Sequence, residues 1–382
     1  MSIILLIQII FWVSFFLIFW TYFGYLITLK TVSLFYSKEV KKQEYFPDVS
    51  LVITVYNEEE RIGEKIENSL ALNYHKDKLE IIVVSDGSTD KTIDIVKSYQ
   101  DKGVKLLALL ARNGKHYSQG KGIEMAKSEI IILTDATTFL REDAVEKIVR
   151  NFNDKNIGCV SGLDEIQNVD SNIQGEGAYV KYEMKLRALE SDVNSLVGVS
   201  GSFFAVRKHL CQNWIDNLSS DFYMPIIAHM NGYRTVLEKE AIGYYEVLNE
   251  QQKEFSRKVR TVVHGMEVLS QFKEILNPFK YGLYACQMLS HKLSRWLVPL
   301  YLVFLFWTNL LLVSQNTFFL ITLALQIVFY MFAIFAYLIK SLKKILFFRI
   351  PLFFVMVNYS IVVAWHNYFI RKDFVLWEPT KR

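Results

Sequence analysis

The chain has 382 residues, of which 52% are hydrophobic and 15% aromatic, and its formal net charge is +4. This length accommodates one α/β domain together with a membrane region, and so mild a charge gives no electrostatic case for nucleic acid as a partner. The three cysteines, Cys159, Cys211 and Cys286, are far apart and in no metal-ligand spacing, which argues against a disulfide framework and favours a reducing compartment.

The first predicted element is an uncharged apolar stretch from Ile3 to Leu29. As a helix it would measure about 40 Å, which exceeds the roughly 30 Å hydrocarbon core of a bilayer. A cleaved signal peptide is the alternative, but the stretch is too long, no basic segment precedes it and no small-residue cleavage site follows it. We therefore predict a transmembrane helix over residues 1–30.

A polar block over residues 47–271 follows, in which predicted strands and helices alternate. The apolar runs predicted as strands are Ser50–Val55, Leu79–Val84, Val104–Leu110 and Ile130–Leu133. After the first run, Ile62, Ile66 and Leu70 recur at helical spacing. This alternation predicts an α/β fold with a parallel, doubly wound sheet, in which ligands bind beyond the carboxyl ends of the strands.

Polar and acidic residues stand where the first, second and fourth strands end: Tyr56, Asn57 and Glu58, then Asp86 to Asp90, then Asp135. An acidic edge of this kind favours a divalent cation that neutralises a bound diphosphate. For Asp86 to Asp90 a helix N-cap is an equally good interpretation. Asp135 follows a buried apolar run, where a carboxylate is costly unless it is paired or metal-bound, so a functional role is favoured there.

Two other nucleotide folds are disfavoured. A Rossmann site needs G-x-G-x-x-G after the first strand, where this chain has the acidic turn Tyr56 to Glu60. A P-loop is a nearer miss, with Gly114, Gly120 and Lys121 present. Five residues, not four, separate the glycines, however, and Gly122 stands where Ser or Thr should contact magnesium.

These motifs, in their order, resemble those of the inverting glycosyltransferases of the GT-A fold, glycosyltransferase family 2. This family includes the cellulose, chitin, hyaluronan and poly-N-acetylglucosamine synthases. The resemblance runs from Pro47 to about Trp296. It implies a GT-A catalytic domain over residues 47–271, with a doubly wound mixed sheet, flanked by transmembrane helices.

The resemblance implies a site for a nucleotide-diphosphate sugar, expected to be a UDP-sugar. The residues that match its donor-binding motifs are Tyr56, Glu58, Asp86, Lys121, Asp135, Arg257 and Arg260. Asp135 matches the first acid of the D-x-D motif and is the expected ligand of Mg²⁺ or Mn²⁺, while Thr137 occupies the position of the second acid.

On the acceptor side, Gly201 and Ser202 resemble the acceptor loop and Asp221 resembles the catalytic base. The alternative at Asp221 is an ordinary helix N-cap at Ser219 or Ser220. Arg257 and Arg260 match the first and fourth positions of Q/R-x-x-R-W, with Thr261 in place of tryptophan. As an alternative, these cations form a solvated face or contact lipids.

Three further apolar stretches follow: Leu297–Ser314, Phe318–Ile339 and Leu346–Phe369. We predict an interfacial helix region over residues 272–296 and transmembrane helices over residues 297–370. Lysines after the first and third spans place the polar block in the cytoplasm. The cations at the C-terminus oppose this topology, so the last segment is spanning, re-entrant or interfacial; they are Arg371, Lys372, Lys381 and Arg382.

The sequence thus predicts an integral membrane enzyme in a bacterial or archaeal plasma membrane. Inversion at the sugar would give a β-glycosidic bond to a growing polysaccharide or, as the alternative, to a membrane lipid. Expected partners are the nucleotide-sugar donor, the polysaccharide or lipid acceptor, membrane lipids and further subunits, but no nucleic acid. A catalytically inactive scaffold is a minor alternative, supported only by the missing acids at Thr137 and Ser220.

Overall fold

The structure, a computed structural model, describes residues 2–167, 174–246 and 251–371. Three of the C-terminal cations that bear on the predicted topology, Lys372, Lys381 and Arg382, lie outside the described residues. The described part contains one eight-stranded sheet covered by helices and, outside it, a set of long apolar helices.

The first half of the sheet is parallel, as predicted. Its strands are β1 (Val49–Val55), β2 (Leu79–Ser85), β3 (Val104–Ala108) and β4 (Ile130–Asp135), in the spatial order β3-β2-β1-β4. These runs are rich in β-branched residues, which suit a strand buried on both faces. β3 ends two residues earlier than predicted, and Leu110, beyond its end, is fully exposed.

The second half makes the sheet mixed. It consists of β5 (Phe139–Leu140), β6 (Ile157–Gln167), β7 (Phe203–Arg207) and β8 (Arg234–Glu246), and the full order is β3-β2-β1-β4-β7-β6-β8-β5. β7 runs antiparallel to β4 and to β6, whereas β6 and β8 are parallel. The β4–β7 pairing matters for the site because it places residues 200–202 beside the carboxyl end of β4.

Helices cover both faces of the sheet. They are α3 (Ile62–Leu70), α4 (Thr92–Lys97), α5 (Lys115–Met125), α6 (Ala144–Val149), α7 (Gln174–Val193), α8 (Ser220–Met230) and α9 (Gln251–Gln271). Successive side chains of β1 alternate between the two sides: Val52 belongs to one apolar core, while Leu51 and Ile53 belong to the other. One apolar core therefore packs on each face of the sheet, and this packing holds the ends of the strands in place.

Within the described residues, four helices are long and apolar enough to cross a membrane: Ile3–Phe35, Pro278–Leu312, Thr317–Leu338 and Leu346–Phe369. The first consists of α1 (Ile3–Phe19) and α2 (Tyr25–Phe35), joined by a π-helical turn. The second consists of α10 (Pro278–Met288) and α11 (Ser294–Leu312), joined by a π-helical turn over Leu289–Leu293. The third and fourth are α12 (Thr317–Leu338) and α13 (Leu346–Phe369). Most of the region predicted to be interfacial, residues 272–296, therefore belongs to the helix that enters the second span.

Helix α9 joins the part of the chain that contains the sheet to these apolar helices. A side chain at Gly265 would come within 2.7 Å of the Trp296 ring, so the glycine allows α9 to pack directly on α11. Trp365 of α13 donates from Nε1 to the Trp296 carbonyl oxygen (2.9 Å), and Phe255 of α9 contacts Tyr359 of α13. The position of α9 is thus set by two of the apolar helices.

Candidate active site

A pocket opens at the carboxyl ends of β1, β2 and β4, where the sequence predicted a ligand site. Its walls come from the ends of these strands and from the start of α5. The lining residues are Thr54, Val55, Tyr56, Glu58, Asp86, Lys115, Ser118, Asp135, Ala136 and Thr137. Four of the predicted donor-site residues, Tyr56, Glu58, Asp86 and Asp135, are therefore brought together.

Asp86 holds the loop that leads into α5. Its Oδ1 accepts a hydrogen bond from the Asn113 backbone N–H (2.9 Å) and its Oδ2 accepts one from that of Gly114 (2.8 Å). The next residue, Gly87, has φ +69°, and a Cβ there would lie 2.7 Å from the Arg112 backbone nitrogen. This position therefore requires glycine. At the other end of the motif, Asp90 accepts from the Thr92 N–H at the start of α4 (3.0 Å), as the capping interpretation expects.

The turn after β1 presents an aromatic ring to the pocket. Asn57 adopts a left-handed conformation with φ 49°, and its side-chain oxygen accepts from the Thr89 backbone N–H (2.8 Å). The Arg112 guanidinium lies 4.0 Å from the centroid of the Tyr56 ring. A stacked tyrosine and guanidinium form a planar surface of the kind that a nucleobase can contact.

Asp135, at the end of β4, is partly exposed in the pocket and is paired with a lysine. Lys115 Nζ lies 2.5 Å from Asp135 Oδ1 and also donates to the Gly201 carbonyl oxygen (2.9 Å). Beneath this turn, the fully buried Lys65 donates to Thr134 Oγ1 (3.2 Å) and to the Thr138 carbonyl oxygen. Burial lowers the pKa of Lys65 to about 7, although the Asp135 charge acts in the opposite direction.

Asp221 lies in the first turn of α8, on the other side of the loop 200–202. Ser219 is the N-cap residue of α8, as the alternative interpretation had it, but its Oγ donates to Asp221 Oδ1 (2.5 Å) and makes no capping hydrogen bond. A Cβ on Gly201 would lie 3.3 Å from Asp221 Oδ2. The Asp135 N–H donates to the Ser202 carbonyl oxygen (3.2 Å). Gly201 and Ser202 therefore separate the two acids and contact both.

A carboxylate that the sequence analysis did not single out supports this loop. Asp164, on β6, accepts from Ser200 Oγ (2.7 Å) and from Ser202 Oγ (2.8 Å) on the same oxygen. Burial raises its pKa above the usual range, and the charge of Asp135 adds to this effect, while the two serine hydroxyls oppose it. The loop is thus anchored by a partly buried acid.

His116 lies next to the start of α8. The Ser220 N–H approaches its Nδ1 at 3.4 Å, and Trp214 Nε1 donates to its carbonyl oxygen (2.7 Å). Burial, followed by the neighbouring Lys115 charge, lowers the pKa of His116 to about 4. The imidazole is therefore neutral at physiological pH and contributes contacts, not charge, beside Asp221.

Arg257 and Arg260 lie on α9, outside the residues that line the pocket. Arg260 is half-buried and, among the residues that the structure describes, has no hydrogen-bond or ion-pair partner. Burial, and next the charge of Arg257, lowers its pKa below the usual range of arginine. A guanidinium stays protonated even so. Arg260 is consequently a positive group suited to an anion.

The structure does not bring Lys121 to the pocket. It lies on the outer face of α5, where its ammonium pairs with Glu124 Oε2 (2.8 Å). The basic residue that lines the pocket is Lys115, at the N-terminus of the same helix. One feature of the sequence indicates that Lys115 is at the start of the helix: it directly follows Gly114. In the structure Gly114 has φ 100° and is the residue at which α5 begins.

The side chains around Asp135 decide whether a divalent metal could bind there. Within the described ranges no group of three or more His, Cys, Asp or Glu side chains could hold a metal ion. Mg²⁺ and its analogues in nucleotide sites use only one or two carboxylates, with phosphate oxygens and water as the other ligands. One carboxylate with the Thr137 hydroxyl in the same pocket fits a metal that arrives with a diphosphate.

Part of the chain is similar to known proteins. Residues 50–214, less than half of the chain, match the model of Glycosyl transferase family 2. Poly-beta-1,6-N-acetyl-D-glucosamine synthase of Staphylococcus aureus (strain COL) is 28% identical over 231 residues, which cover 58% of this chain and 55% of the synthase. The Staphylococcus epidermidis synthase is 26% identical over 247 residues, covering 62% and 59%. The chain thus spans just over half the length of these relatives.

Among solved structures, the mannosyltransferase PcManGT from Pyrobaculum calidifontis, in complex with GDP-Man and Mn²⁺, superposes with a TM-score of 0.72. The superposition covers 95% of this chain and all of PcManGT at 18% identity. At that identity the likeness concerns the fold. It confirms the predicted α/β fold of the GT-A type, with a mixed sheet flanked by long apolar helices.

Proposed function

We propose that this protein, part of which matches the model of glycosyl transferase family 2, is a membrane-embedded inverting glycosyltransferase. It would move a sugar from a nucleotide-diphosphate sugar, expected to be a UDP-sugar, onto an acceptor and form a β-glycosidic bond. One observation carries the proposal: Asp135 and Asp221 lie on either side of the loop formed by Gly201 and Ser202. The loop thus adjoins the proposed donor-side acid through Ser202 and the proposed acceptor-side acid through Gly201, which suits a single in-line displacement.

The donor would occupy the pocket at the strand ends. Tyr56 and Arg112 offer a planar surface for the base, and Asp86 keeps the loop 113–114 in place beside it. The diphosphate would lie near Lys115 and Asp135. Asp135 and the Thr137 hydroxyl would hold Mg²⁺ or Mn²⁺, which, when bound, neutralises charge on the diphosphate.

In the proposed reaction, Asp221 removes the proton from an acceptor hydroxyl while that oxygen attacks the anomeric carbon. The bond between the anomeric carbon and the diphosphate oxygen breaks, and the nucleotide diphosphate leaves with the electron pair. Lys115 would stabilise the negative charge on the leaving group, and Arg257 and Arg260 would complete this positive environment. Ser219 orients the Asp221 carboxylate through its hydrogen bond.

The proposed location is the cytoplasmic face of a membrane, in contact with lipids. The lysines that follow the first and third spans support it through the positive-inside rule. The exposed surfaces of the four apolar helices, with side chains such as Trp12, Trp307 and Leu325, suit a lipid environment. Further subunits remain part of the proposal because four spans are few for a polysaccharide channel built by one chain.

Two acceptors are compatible with this mechanism. Extension of a polysaccharide is the reaction suggested by the names of the staphylococcal relatives. Addition of one sugar to a membrane lipid is favoured by Thr261, which stands where the synthases carry an acceptor-positioning tryptophan. A non-catalytic scaffold is disfavoured because Asp135 and Asp221 both adjoin the acceptor loop.

The deciding experiment is nucleotide diphosphate release with product sizing, in membranes that contain the full chain and a panel of radiolabelled nucleotide sugars. Release from one donor, lost in Asp221→Asn, would support the proposal and name the sugar. A long product would identify a polysaccharide synthase, and a single-sugar lipid product a glycolipid transferase. Release by Asp221→Asn at the wild-type rate would overturn the mechanism.

A further inference from the structure

A fully buried lysine lies behind the turn that carries the proposed metal ligands, and the reaction described above does not use it. Lys65, on α3, has no exposed surface, and among the residues that the structure describes it makes no ion pair. Its helix neighbours Ile62 and Ile66 belong to the apolar core on that face of the sheet. A buried lysine is unfavourable unless its ammonium finds polar partners, so its contacts indicate its role.

The two hydrogen bonds of Lys65 reach the two ends of the turn. Its Nζ donates to Thr134 Oγ1 (3.2 Å), one residue before Asp135, and to the Thr138 carbonyl oxygen, one residue after Thr137. Both Thr134 and Thr138 are almost completely buried, so solvent has little access to these two acceptors. One side chain thus joins the residues that flank the segment Asp135–Thr137.

The backbone of the turn is held at two further points. The Thr138 N–H donates to the Asp135 carbonyl oxygen (3.2 Å), and the Asp135 N–H donates to the Ser202 carbonyl oxygen (3.2 Å). Without Lys65, the Thr138 carbonyl oxygen would lose a donor in a place where solvent cannot readily replace it. Arrangements of the turn in which that oxygen finds another donor would then be favoured.

The arrangement of this turn matters because it holds a single acid. Within the segment Asp135–Thr137, Asp135 offers a carboxylate and Thr137 offers a neutral hydroxyl, and both line the pocket. A hydroxyl attracts a divalent cation less strongly than a carboxylate does. The affinity for the cation therefore depends on Asp135 and Thr137 facing the pocket together.

We propose that Lys65 is a positioning residue of the donor site: by joining Thr134 to Thr138, it holds Asp135 and Thr137 in the arrangement that receives the divalent cation. This rests on the proposed glycosyltransferase function and concerns the metal requirement of the same site. Lys65 itself lies behind the turn and does not line the pocket. An amine donates hydrogen bonds in its protonated and in its neutral form, so the role does not depend on the charge of Lys65.

A neighbouring contact provides a matched control. Asn68, three residues further along α3, donates from Nδ2 to the Leu140 carbonyl oxygen (2.8 Å), and its Oδ1 accepts from the Leu140 N–H (2.9 Å). Like Lys65, it ties α3 to the chain that follows β4 with two hydrogen bonds, but beyond the turn. Asn68→Leu therefore loosens the same part of the chain and leaves both contacts of Lys65 in place.

The test measures Mn²⁺ binding directly, by electron paramagnetic resonance of free Mn²⁺, with the purified full chain in detergent and saturating UDP. Lys65→Met, which has a side chain of similar length and no donor, should raise the dissociation constant of Mn²⁺ about tenfold. The affinity for UDP without metal should stay at the wild-type value, because Tyr56 and Lys115 are unchanged. Asn68→Leu should lower the unfolding temperature and keep the wild-type affinity for Mn²⁺.

Activity provides a second measurement. In Lys65→Met, the Mn²⁺ concentration that gives half-maximal turnover should rise by the same factor, and kcat at saturating Mn²⁺ should return to the wild-type value. A merely destabilised protein would instead lose kcat at every Mn²⁺ concentration. The split between metal dependence and kcat therefore separates positioning of the metal ligands from a general loss of folded protein.

Thr134→Val tests the same contact from the other side. Thr134 does not line the pocket, and valine has its shape without the hydroxyl. The substitution should raise the dissociation constant of Mn²⁺ by about threefold, less than Lys65→Met does, because the hydrogen bond to Thr138 remains. In a protein that already carries Lys65→Met, it should have no further effect. If Lys65→Met does not fold, Thr134→Val alone decides.

Wild-type affinity for Mn²⁺ in Lys65→Met, or in Thr134→Val where that variant decides, would overturn the inference. An equal loss of affinity in Asn68→Leu would overturn it too, since loosening this part of the chain at any point would then suffice. In these cases the wild-type protein still binds Mn²⁺ with UDP and turns over its donor, so the proposed function stands. A wild-type protein that bound no nucleotide diphosphate and turned over no donor would count against the proposed function itself.

Discussion

Lys115 Nζ lies 2.5 Å from Asp135 Oδ1 and donates to the carbonyl oxygen of Gly201. A single ammonium thus joins the acid at the end of β4 to the loop on the acceptor side. When a diphosphate enters, its oxygens can replace the Asp135 carboxylate as the partner of Lys115, which leaves the carboxylate available to a metal. The ion pair would therefore exchange partners upon donor binding.

Lys115→Met should weaken binding of the nucleotide diphosphate by about tenfold to a hundredfold, because a charge-assisted hydrogen bond is lost. Isothermal titration of the purified protein with UDP would measure this. Lys121→Met is the matched control, since Lys121 lies on the same helix but pairs with Glu124 at the surface. An equal loss in both variants would contradict the assignment of Lys115 to the diphosphate.

Thr137→Asp should increase the affinity for Mn²⁺ in the presence of nucleotide diphosphate. Thr137 lines the same pocket as Asp135, so the substitution supplies a second carboxylate to the metal. Electron paramagnetic resonance of free Mn²⁺ would report the bound fraction. Thr137→Asn provides an uncharged side chain of the same shape and should show a smaller gain; unchanged affinity in Thr137→Asp would place the metal elsewhere.

Asp221→Asn should lower kcat by about two to four orders of magnitude while nucleotide diphosphate affinity stays at the wild-type value. The amide keeps the shape of the side chain but cannot accept the acceptor's proton. Asp216→Asn is the control, because Asp216 lies in the same connection before α8, where the charge of Lys121 acts on it. A fall in kcat of similar size in both variants would indicate a structural effect.

The buried Lys65 should make stability depend on pH. Its pKa is lowered to about 7 in the folded protein, against about 10.4 in an unfolded chain. Between these values the unfolded chain binds more protons, so the free energy of unfolding rises with pH from about 7 to about 10. Lys65→Met should remove this rise. Thermal unfolding in detergent at several pH values would measure it, and an equal pH dependence in the variant would contradict the role of Lys65.

The meeting of Asp86 and Asp135 at one pocket could be predicted from the sequence because local signals determine it. Both acids stand just beyond apolar runs, and the ends of parallel strands meet at one edge of a sheet. The choice between Lys115 and Lys121 could not be made in the same way. The two residues are six positions apart on one helix, and each residue turns the helix by about 100°, so they face different directions.

Asp164 could not be predicted because its role depends on pairing between distant segments. β6 contains Gly158, Ser161 and Gly162, which interrupt the apolar pattern of a strand. Its contact with Ser200 and Ser202 arises only through the antiparallel β6–β7 pairing. The predicted positions of Gly201, Ser202 and Asp221 came from the family resemblance, and the structure adds the contacts that relate them.

The contact between Gly265 and Trp296 has a consequence for how this enzyme can be handled. Arg257 and Arg260 lie on the same helix as Gly265, and that helix rests on α11 and α13. A water-soluble fragment that ended before α10 would keep the strand-end pocket but lose the support that positions the two guanidinium groups. The apolar helices therefore help to position two side chains of the proposed site, and a preparation that keeps those helices folded is needed to study them.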